Sequence, residues 1–278
     1  MSTDLQRLQD TITSEDVARF ERDGAVCLRD MFDSKWLSLI EQGLEQALDE
    51  TGPYSRQPSP KEDPGQFFTD YFMWHRVPVL RRFALESPAG ALAAKLLGSE
   101  QINFFFDGLF VKEPGTETHS AWHQDQPSYN VDGRQVAVIW IPIDPVSKDS
   151  ALELVRGSHR WGKWFVPEYF SGEQRNHDLS DDLYAPLPDI DADRARYDIL
   201  SWDMQPGDCV VFHAMMLHGS QGNSSKVRRR RALSTTWLGD DAVFGERPFE
   251  PDPVIEVPHL RAGDRLNIEP TFPRVWPR

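Results

Sequence analysis

Gln101-Ile-Asn-Phe-Phe-Phe-Asp-Gly-Leu-Phe-Val-Lys-Glu113 is where the chain changes texture. Upstream, apolar residues return every three or four positions. From here on, branched and aromatic residues crowd into short runs. Ile102–Asp107 and Leu109–Glu113 read as two strands on either side of Gly108. Further runs follow at Val136–Ile143, Ala151–Val155, Asp208–Ala214 and Arg230–Leu238. Turn signals such as Glu113-Pro-Gly, Asp132-Gly and Gln205-Pro-Gly-Asp separate them. Many short strands without alternating helices exclude a doubly wound sheet and point to a sandwich or barrel. No internal repeat is visible.

Working outward, residues 1–100 read as mainly helical. Ser14 is the expected cap of a short helix closed by Gly24, and Ala25–Arg29 a short strand. Asp33 or Ser34 opens a helix with Trp36, Leu37, Ile40, Leu44 and Leu48 on one side, which Gly52 and Pro53 stop. Residues 52–65 read as loop, and two more helices fit Val77–Leu85 and Pro88–Leu97. Residues 101–240 form the β core, interrupted by a polar insertion at 160–204 that reads as a lid. Residues 241–278 read as a surface tail. Together these make one domain, 1–278.

With 30 Lys+Arg against 44 Asp+Glu, the 278 residues carry a formal charge of −14. Nucleic acid and anionic membranes need a basic face, so neither is expected as a partner. Hydrophobic residues at 39% are enough for a core. Two cysteines, Cys27 and Cys209, make no disulfide framework, and a reducing, cytoplasmic setting is expected. The first residues lack the pattern of a secretory signal, and no apolar run approaches the roughly 18 residues of a membrane span.

Eight histidines are present, and one grouping carries chemistry: Trp122-His123-Gln124-Asp125-Gln126-Pro127. On extended chain, His123 and Asp125 project to one side. An imidazole and a carboxylate on one face are half a metal site, and His218 in Leu217-His218-Gly219-Ser220 offers a third ligand. Two histidines and one carboxylate form the facial triad of non-haem Fe(II) oxygenases, which leaves positions open for a cosubstrate and O2. Further on lies Arg228-Arg-Arg-Arg231, from which an inward arginine would pair bidentately with a dicarboxylate at the metal. Alternation puts Arg230, Ala232 and Ser234 on one face. His119 is an additional candidate ligand, whereas His159 reads as structural and His213, whose odd spacing from His218 points it to the opposite face, as core.

Six ordered blocks then resemble one family. They are Val111-Lys112-Glu-Pro-Gly, Trp122-His123-Gln124-Asp125-Gln126, Val138-Ile-Trp140-Ile-Pro, Ser150-Ala-Leu-Glu-Leu-Val-Arg-Gly157-Ser-His159-Arg, Gln205-Pro-Gly-Asp208 and His218-Gly-Ser220. From about Phe105 to Leu238 the chain resembles the phytanoyl-CoA dioxygenase-like, 2-oxoglutarate-dependent Fe(II) oxygenases. The resemblance implies a mainly β protein with flanking helices, built on a double-stranded β-helix, the cupin-like jelly roll. It implies Fe(II) on His123, Asp125 and His218, with 2-oxoglutarate and O2 as cosubstrates. It also implies cosubstrate contacts from Ser220, Trp140 and Lys112, and from an arginine of the Arg228–Arg231 run. Family spacing from His218 gives Arg229, and the Arg-Arg-Ala-Leu text gives Arg230. Strand alternation favours Arg230. Halogenases of this lineage replace the carboxylate ligand by a small residue, so Asp125 speaks against halogenation.

The expected activity is hydroxylation, or another oxidation, of an unactivated C–H bond in a small organic metabolite, with release of succinate and CO2. Two rivals use the same residues. A zinc-dependent cupin-type hydrolase or isomerase would accept the three ligands, and a metal-free jelly-roll binding module would need none of them. The aromatic run Phe104–Phe110, with Trp122 and Tyr129, is the expected substrate wall. That wall and the acidic balance speak against an acyl-CoA, whose phosphates need Lys and Arg at the mouth. The sequence does not set the oligomeric state.

Overall fold

The computed structural model describes residues 11–167, 184–257 and 259–277. Helix α1 (Ser14–Asp23) is capped one residue earlier than the sequence suggested. Thr13 Oγ1 accepts from Asp16 N at 3.1 Å, and the Asp16 carboxylate accepts from Thr13 N at 2.9 Å. This reciprocal capping box satisfies two helix-end donors, and Ser14 is merely the first helical residue. Gly24 ends the helix at φ +83°, where a Cβ would sit 2.2 Å from His159 Nδ1. Strand β1 (Ala25–Leu28) follows, then α2 (Ser34–Asp49), capped by Asp33. Strand β2 (Phe67–Tyr71) was not read from the sequence, because five residues with mixed polarity carry little periodicity. Helices α3 (Pro78–Glu86) and α4 (Ala89–Leu97) come next, close to expectation.

The β core runs β3 (Ile102–Lys112), β4 (Ser120–His123), β5 (Val131–Asp132), β6 (Val136–Pro142) and β7 (Leu152–Val155). After the short pieces β8 (Trp164–Phe165), β9 (Tyr184–Ala185) and β10 (Ile199–Leu200) come β11 (Cys209–His213), β12 (His218–Ser220) and β13 (Arg230–Leu238). The tail adds β14 (Val243–Phe244) and β15 (Arg274–Trp276). The larger sheet has the order β1-β11-β6-β13-β3, with β2 and β15 both paired to β3. The smaller sheet is β10-β7-β12-β4. Both are antiparallel throughout. This is the expected double-stranded β-helix, mainly β with helices against one face.

Alternation divides the buried residues between two layers. Ala137, Ile139, Ile141, Leu233 and Trp237 pack with the helices. Val136, Val138, Trp140, Ala232 and Phe212 face the interior between the sheets. Two expectations change here. The two strands foreseen around Gly108 are one strand, because Gly108 pairs with Tyr71 on one side and Ser234 on the other, and both ladders run through it without interruption. A register shift between Thr236 and Trp237 then leaves Phe105 as an extra residue, so Phe104 turns to the helical side and Phe106 to the interior.

The 160–204 insertion is not structureless. Trp164–Phe165 pairs in parallel with Tyr184–Ala185, and Ile199–Leu200 joins the smaller sheet. Phe165 is buried with Trp122, Val155, Ile190 and Leu217 on the outside of that sheet. Asp189, Asp191 and Asp193 are exposed, and the last two pair with Arg194 and Arg196. Residues 168–183 of the insertion, on which much of the lid reading falls, lie outside the described residues. Among the described residues, no helix is long and apolar enough to cross a membrane.

Candidate active site

The site lies between the sheets. His123 ends β4 and His218 starts β12, and the two are direct partners across the smaller sheet. Their rings stand 4.2 Å apart between centroids. Asp125 is not on extended chain as foreseen. It sits in helical backbone at the start of a single 3-10 turn, Gln126–Ser128. That turn is pinned from behind: Asp125 N and Gln126 N both donate to Ala214 O at 3.0 Å. The Gln124 side chain donates to Met215 O at 2.9 Å and accepts from Phe165 N at 3.0 Å. The bend swings the carboxylate back beneath the two rings. Asp125 Oδ1 lies 3.3 Å from His123 Nε2 and 3.8 Å from His218 Nε2. One ligand atom from each residue falls within 4.8 Å of the others.

The donor set fits a metal ion. His123 Nδ1 is 2.8 Å from Ala121 O and His218 Nδ1 is 3.0 Å from Met216 O. A carbonyl can only accept, so each Nδ1 carries the proton and each Nε2 presents a lone pair to the centre. Burial, with His123 beside it, lowers the His218 pKa to about 4, so the imidazole is neutral at pH 7. Burial pushes the Asp125 carboxyl up, but in the metal-free site a proton on either imidazole, together with the Tyr129 hydroxyl, stabilises its charge and keeps it below its ordinary range. His119 takes no part, because the cluster among the described residues contains only the expected three.

A cavity of about 610 Å³, counting its open mouth, joins this triad to Arg230, Ser220 and Trp140. Arg230 is 3% exposed. Its guanidinium donates to Ser150 O and lies 3.5 Å from Ser220 Oγ, while Nε has no hydrogen-bond partner. Among the described residues no carboxylate pairs with it, and burial alone pulls its pKa down to about 10. A buried, unpaired guanidinium facing a metal-type cluster is a receptor for an anion. Arg229 points outward to Glu113 at 2.9 Å and Glu45 at 3.6 Å. Arg230, not Arg229, is therefore the arginine on the cavity side of the strand.

Lys112 is placed differently from expectation. It is fully buried and adjoins Arg230 across the β3–β13 ladder, but it does not line the cavity. Its Nζ lies 3.2 Å from Ser220 Oγ and donates to Gln221 O at 2.8 Å, so it holds the β12 end from behind. Of the expected aromatic wall, Phe106, Phe110 and Tyr129 line the cavity, whereas Phe104, Phe105 and Trp122 do not. Tyr71 on β2 joins the wall and was missed along with its strand. No described residue of the 160–204 insertion lines the cavity.

His159 and His213 stand outside the ligand cluster, and His213 is not the core residue it was read as. Ser158, next to His159, accepts from Leu217 N at 2.9 Å and so supports the β12 entry. His213 is half-buried at the rim of a separate surface cleft. Its Nε2 donates to Arg134 O, and its Nδ1 accepts from Met215 N at 3.1 Å. A second proton would face that N–H. Burial and the His159 ring depress its pKa from 6.5 to about 4. Between those values the unfolded chain holds a proton that the folded one refuses. Stability of the metal-free protein should therefore fall as pH drops from about 6.5 towards 4. Urea midpoints at about pH 7.5 and 5 should differ less for His213→Gln than for the parent, and equal differences would assign the fall to other groups.

Comparison with known proteins places these features. The family described as "Phytanoyl-CoA dioxygenase (PhyH)" matches residues 20–232. Ectoine dioxygenase of Sphingopyxis alaskensis is 24% identical over 248 residues, 86% of this chain and 79% of that protein. The multifunctional dioxygenase prhA of Penicillium brasilianum is 23% identical over 244 residues, 83% of this chain and 74% of that one. Among solved structures, the non-heme alpha ketoglutarate dependent carbocyclase SnoK from nogalamycin biosynthesis superposes with a TM-score of 0.74 at 21% identity, over 96% of this chain and 98% of that chain. The epimerase SnoN, in complex with Fe3+, alpha ketoglutarate and nogalamycin RO, reaches 0.71 at 20% identity, over 98% of each chain. These superpositions show the shared fold.

Proposed function

The chain belongs to the phytanoyl-CoA dioxygenase (PhyH) family, and on that premise we propose that it is an Fe(II)- and 2-oxoglutarate-dependent dioxygenase hydroxylating a C–H bond of a small organic metabolite. The observation that carries this reading is Arg230. A zinc hydrolase or isomerase has no use for a buried guanidinium facing the metal ligands, and a metal-free binding module has no use for two imidazoles locked with Nε2 towards a carboxylate. A dicarboxylate cosubstrate explains both ends of the cavity at once.

His123, Asp125 and His218 would hold Fe(II), and Arg230 with Ser220 would hold the far carboxylate of 2-oxoglutarate. When bound, iron, 2-oxoglutarate and O2 supply the C–H oxidant, with succinate and CO2 as coproducts. The chain's own part is positioning. The carbonyls of Ala121 and Met216 fix both imidazole tautomers. The hydrogen bonds to Ala214 O fix the Asp125 turn. Trp140, which lines the cavity at 3% exposure, would close one side of the cosubstrate site against water.

A small substrate is supported by the relatives, whose names specify ectoine and nogalamycin chemistry. It is supported too by the cavity, in which Arg230 is the only cationic wall residue among those described. The phosphates of an acyl-CoA would find no counter-ion there. Carbocyclase and epimerase activities among the relatives mark the alternatives to hydroxylation. The deciding experiment is a metabolite screen with Fe(II), 2-oxoglutarate and ascorbate that records substrate-dependent succinate. Hydroxylation adds one oxygen to the product mass. Turnover of CoA esters but not free metabolites would overturn the substrate class, and no succinate from any substrate would overturn the reaction.

A further inference from the structure

With the triad, Ser220 and Arg230 assigned to metal and cosubstrate, the remaining wall is built on one row of the larger sheet. Tyr71, Gly108, Ser234 and Trp140 are successive partners across β2, β3, β13 and β6. All four line the cavity. Two small residues between two aromatic ones make a trough. The Trp140 side adjoins the cosubstrate, leaving the Tyr71 side for the substrate.

Gly108 limits that side. Its φ is not in the left-handed region, so the backbone does not demand glycine there. Space does: a Cβ would lie 3.2 Å from both the Tyr71 and Phe110 rings. Those rings stand edge to face, 6.0 Å apart at 86°. Phe106 continues the series at 6.2 Å from Tyr71, and Tyr129 at 5.1 Å from Phe106. Ring faces are negative and repel anions, while they accept apolar groups and cations.

We propose that Tyr71, Gly108 and Phe110 form the substrate subsite, that Gly108 sets its width, and that it accepts an apolar group bearing no negative charge, an inference that rests on the oxygenase reading above. Tyr71 and Phe110 supply the contact faces, and Gly108, having no Cβ, lets both rings lie close against the strand and leaves the cavity above them open.

The test titrates the anaerobic Fe(II)·2-oxoglutarate protein by calorimetry with three probes of one shape: choline, its uncharged carbon isostere dimethylbutanol, and dimethylbutanoate. Choline and dimethylbutanol should each bind at least about tenfold more tightly than dimethylbutanoate. Gly108→Val should weaken both by about tenfold or more, and Gly108→Ala by less, because the added methyls push the Tyr71 and Phe110 rings into the cavity. The 2-oxoglutarate affinity should stay within about twofold, since Arg230 and Ser220 are untouched. Should Gly108→Val not fold, Gly108→Ala and Gly108→Ser decide the matter: each should weaken choline and dimethylbutanol while leaving 2-oxoglutarate binding in place. Preferential binding of dimethylbutanoate, unchanged probe affinity in the Gly108 variants, or no binding of any probe would overturn the subsite. Failure of 2-oxoglutarate itself to bind the parent protein would instead overturn the oxygenase reading.

Discussion

Asp125→Ala is expected to abolish turnover and to lower Fe(II) affinity by more than about 100-fold. Even outer partners of metal ligands are worth 10- to 100-fold, and Asp125 stands in the ligand cluster itself. Its Oδ1 is the one anionic atom between the two Nε2 lone pairs, 3.3 Å and 3.8 Å away. Without it the centre offers two neutral donors and no charge against a dication. Asp125→Asn should lose most of the affinity too, because the shape remains but the charge goes. Competition with a chelator under anaerobic conditions measures the first effect, and succinate release the second. Full iron content and full turnover in Asp125→Ala would show that the triad is misassigned.

Arg230→Ala is expected to raise the 2-oxoglutarate requirement on the order of 100- to 1000-fold. Removing one member of a buried charged pair costs roughly 3–5 kcal/mol, and the partner left behind here would be the cosubstrate carboxylate. Arg229→Ala should change the requirement less than about threefold, since surface ion pairs like those with Glu113 and Glu45 contribute about 1 kcal/mol or less. Arg230→Lys should recover only part of the loss, because an ammonium cannot bind a carboxylate through two parallel N–H groups. The measurement is the dissociation constant of 2-oxoglutarate on the Fe(II) protein. Equal losses for the two arginines, or a larger one for Arg229, would contradict the assignment.

The choice between Arg229 and Arg230 shows how far the sequence alone carries. Side chains on a strand alternate without exception until a bulge intervenes, so Arg230, Ala232 and Ser234 had to share a face once β13 was recognised. The structure places that face inward, with Ala232 in the interior layer and Ser234 on the cavity. The wall from Phe104 to Phe110 failed by the same logic. A bulge at Phe105 resets the alternation, and nothing within the run Phe104-Phe-Phe106 announces it, because the cause is the partner strand. Lys112 matched a family block by text, yet its Nζ reaches Ser220 and Gln221 from behind the cavity. A block match places a residue on a strand; it does not say how far a long side chain travels.

By itself the sequence determined the strand-rich class, the helical N-terminal part and the identities of the two histidines and the carboxylate, since these rest on local periodicity and on donor chemistry. Only the tertiary structure decided that His123 and His218, 95 positions apart, would be direct cross-strand partners. It also decided that Asp125 would reach them from a bent turn held by Ala214 rather than from a strand. The same holds for Tyr71 and Gly108, which meet through the β2–β3 pairing. Periodicity is a property of neighbours along the chain, whereas a site is set by which strands lie side by side. That arrangement follows from burying both faces of the larger sheet at once, a condition no local stretch of sequence contains.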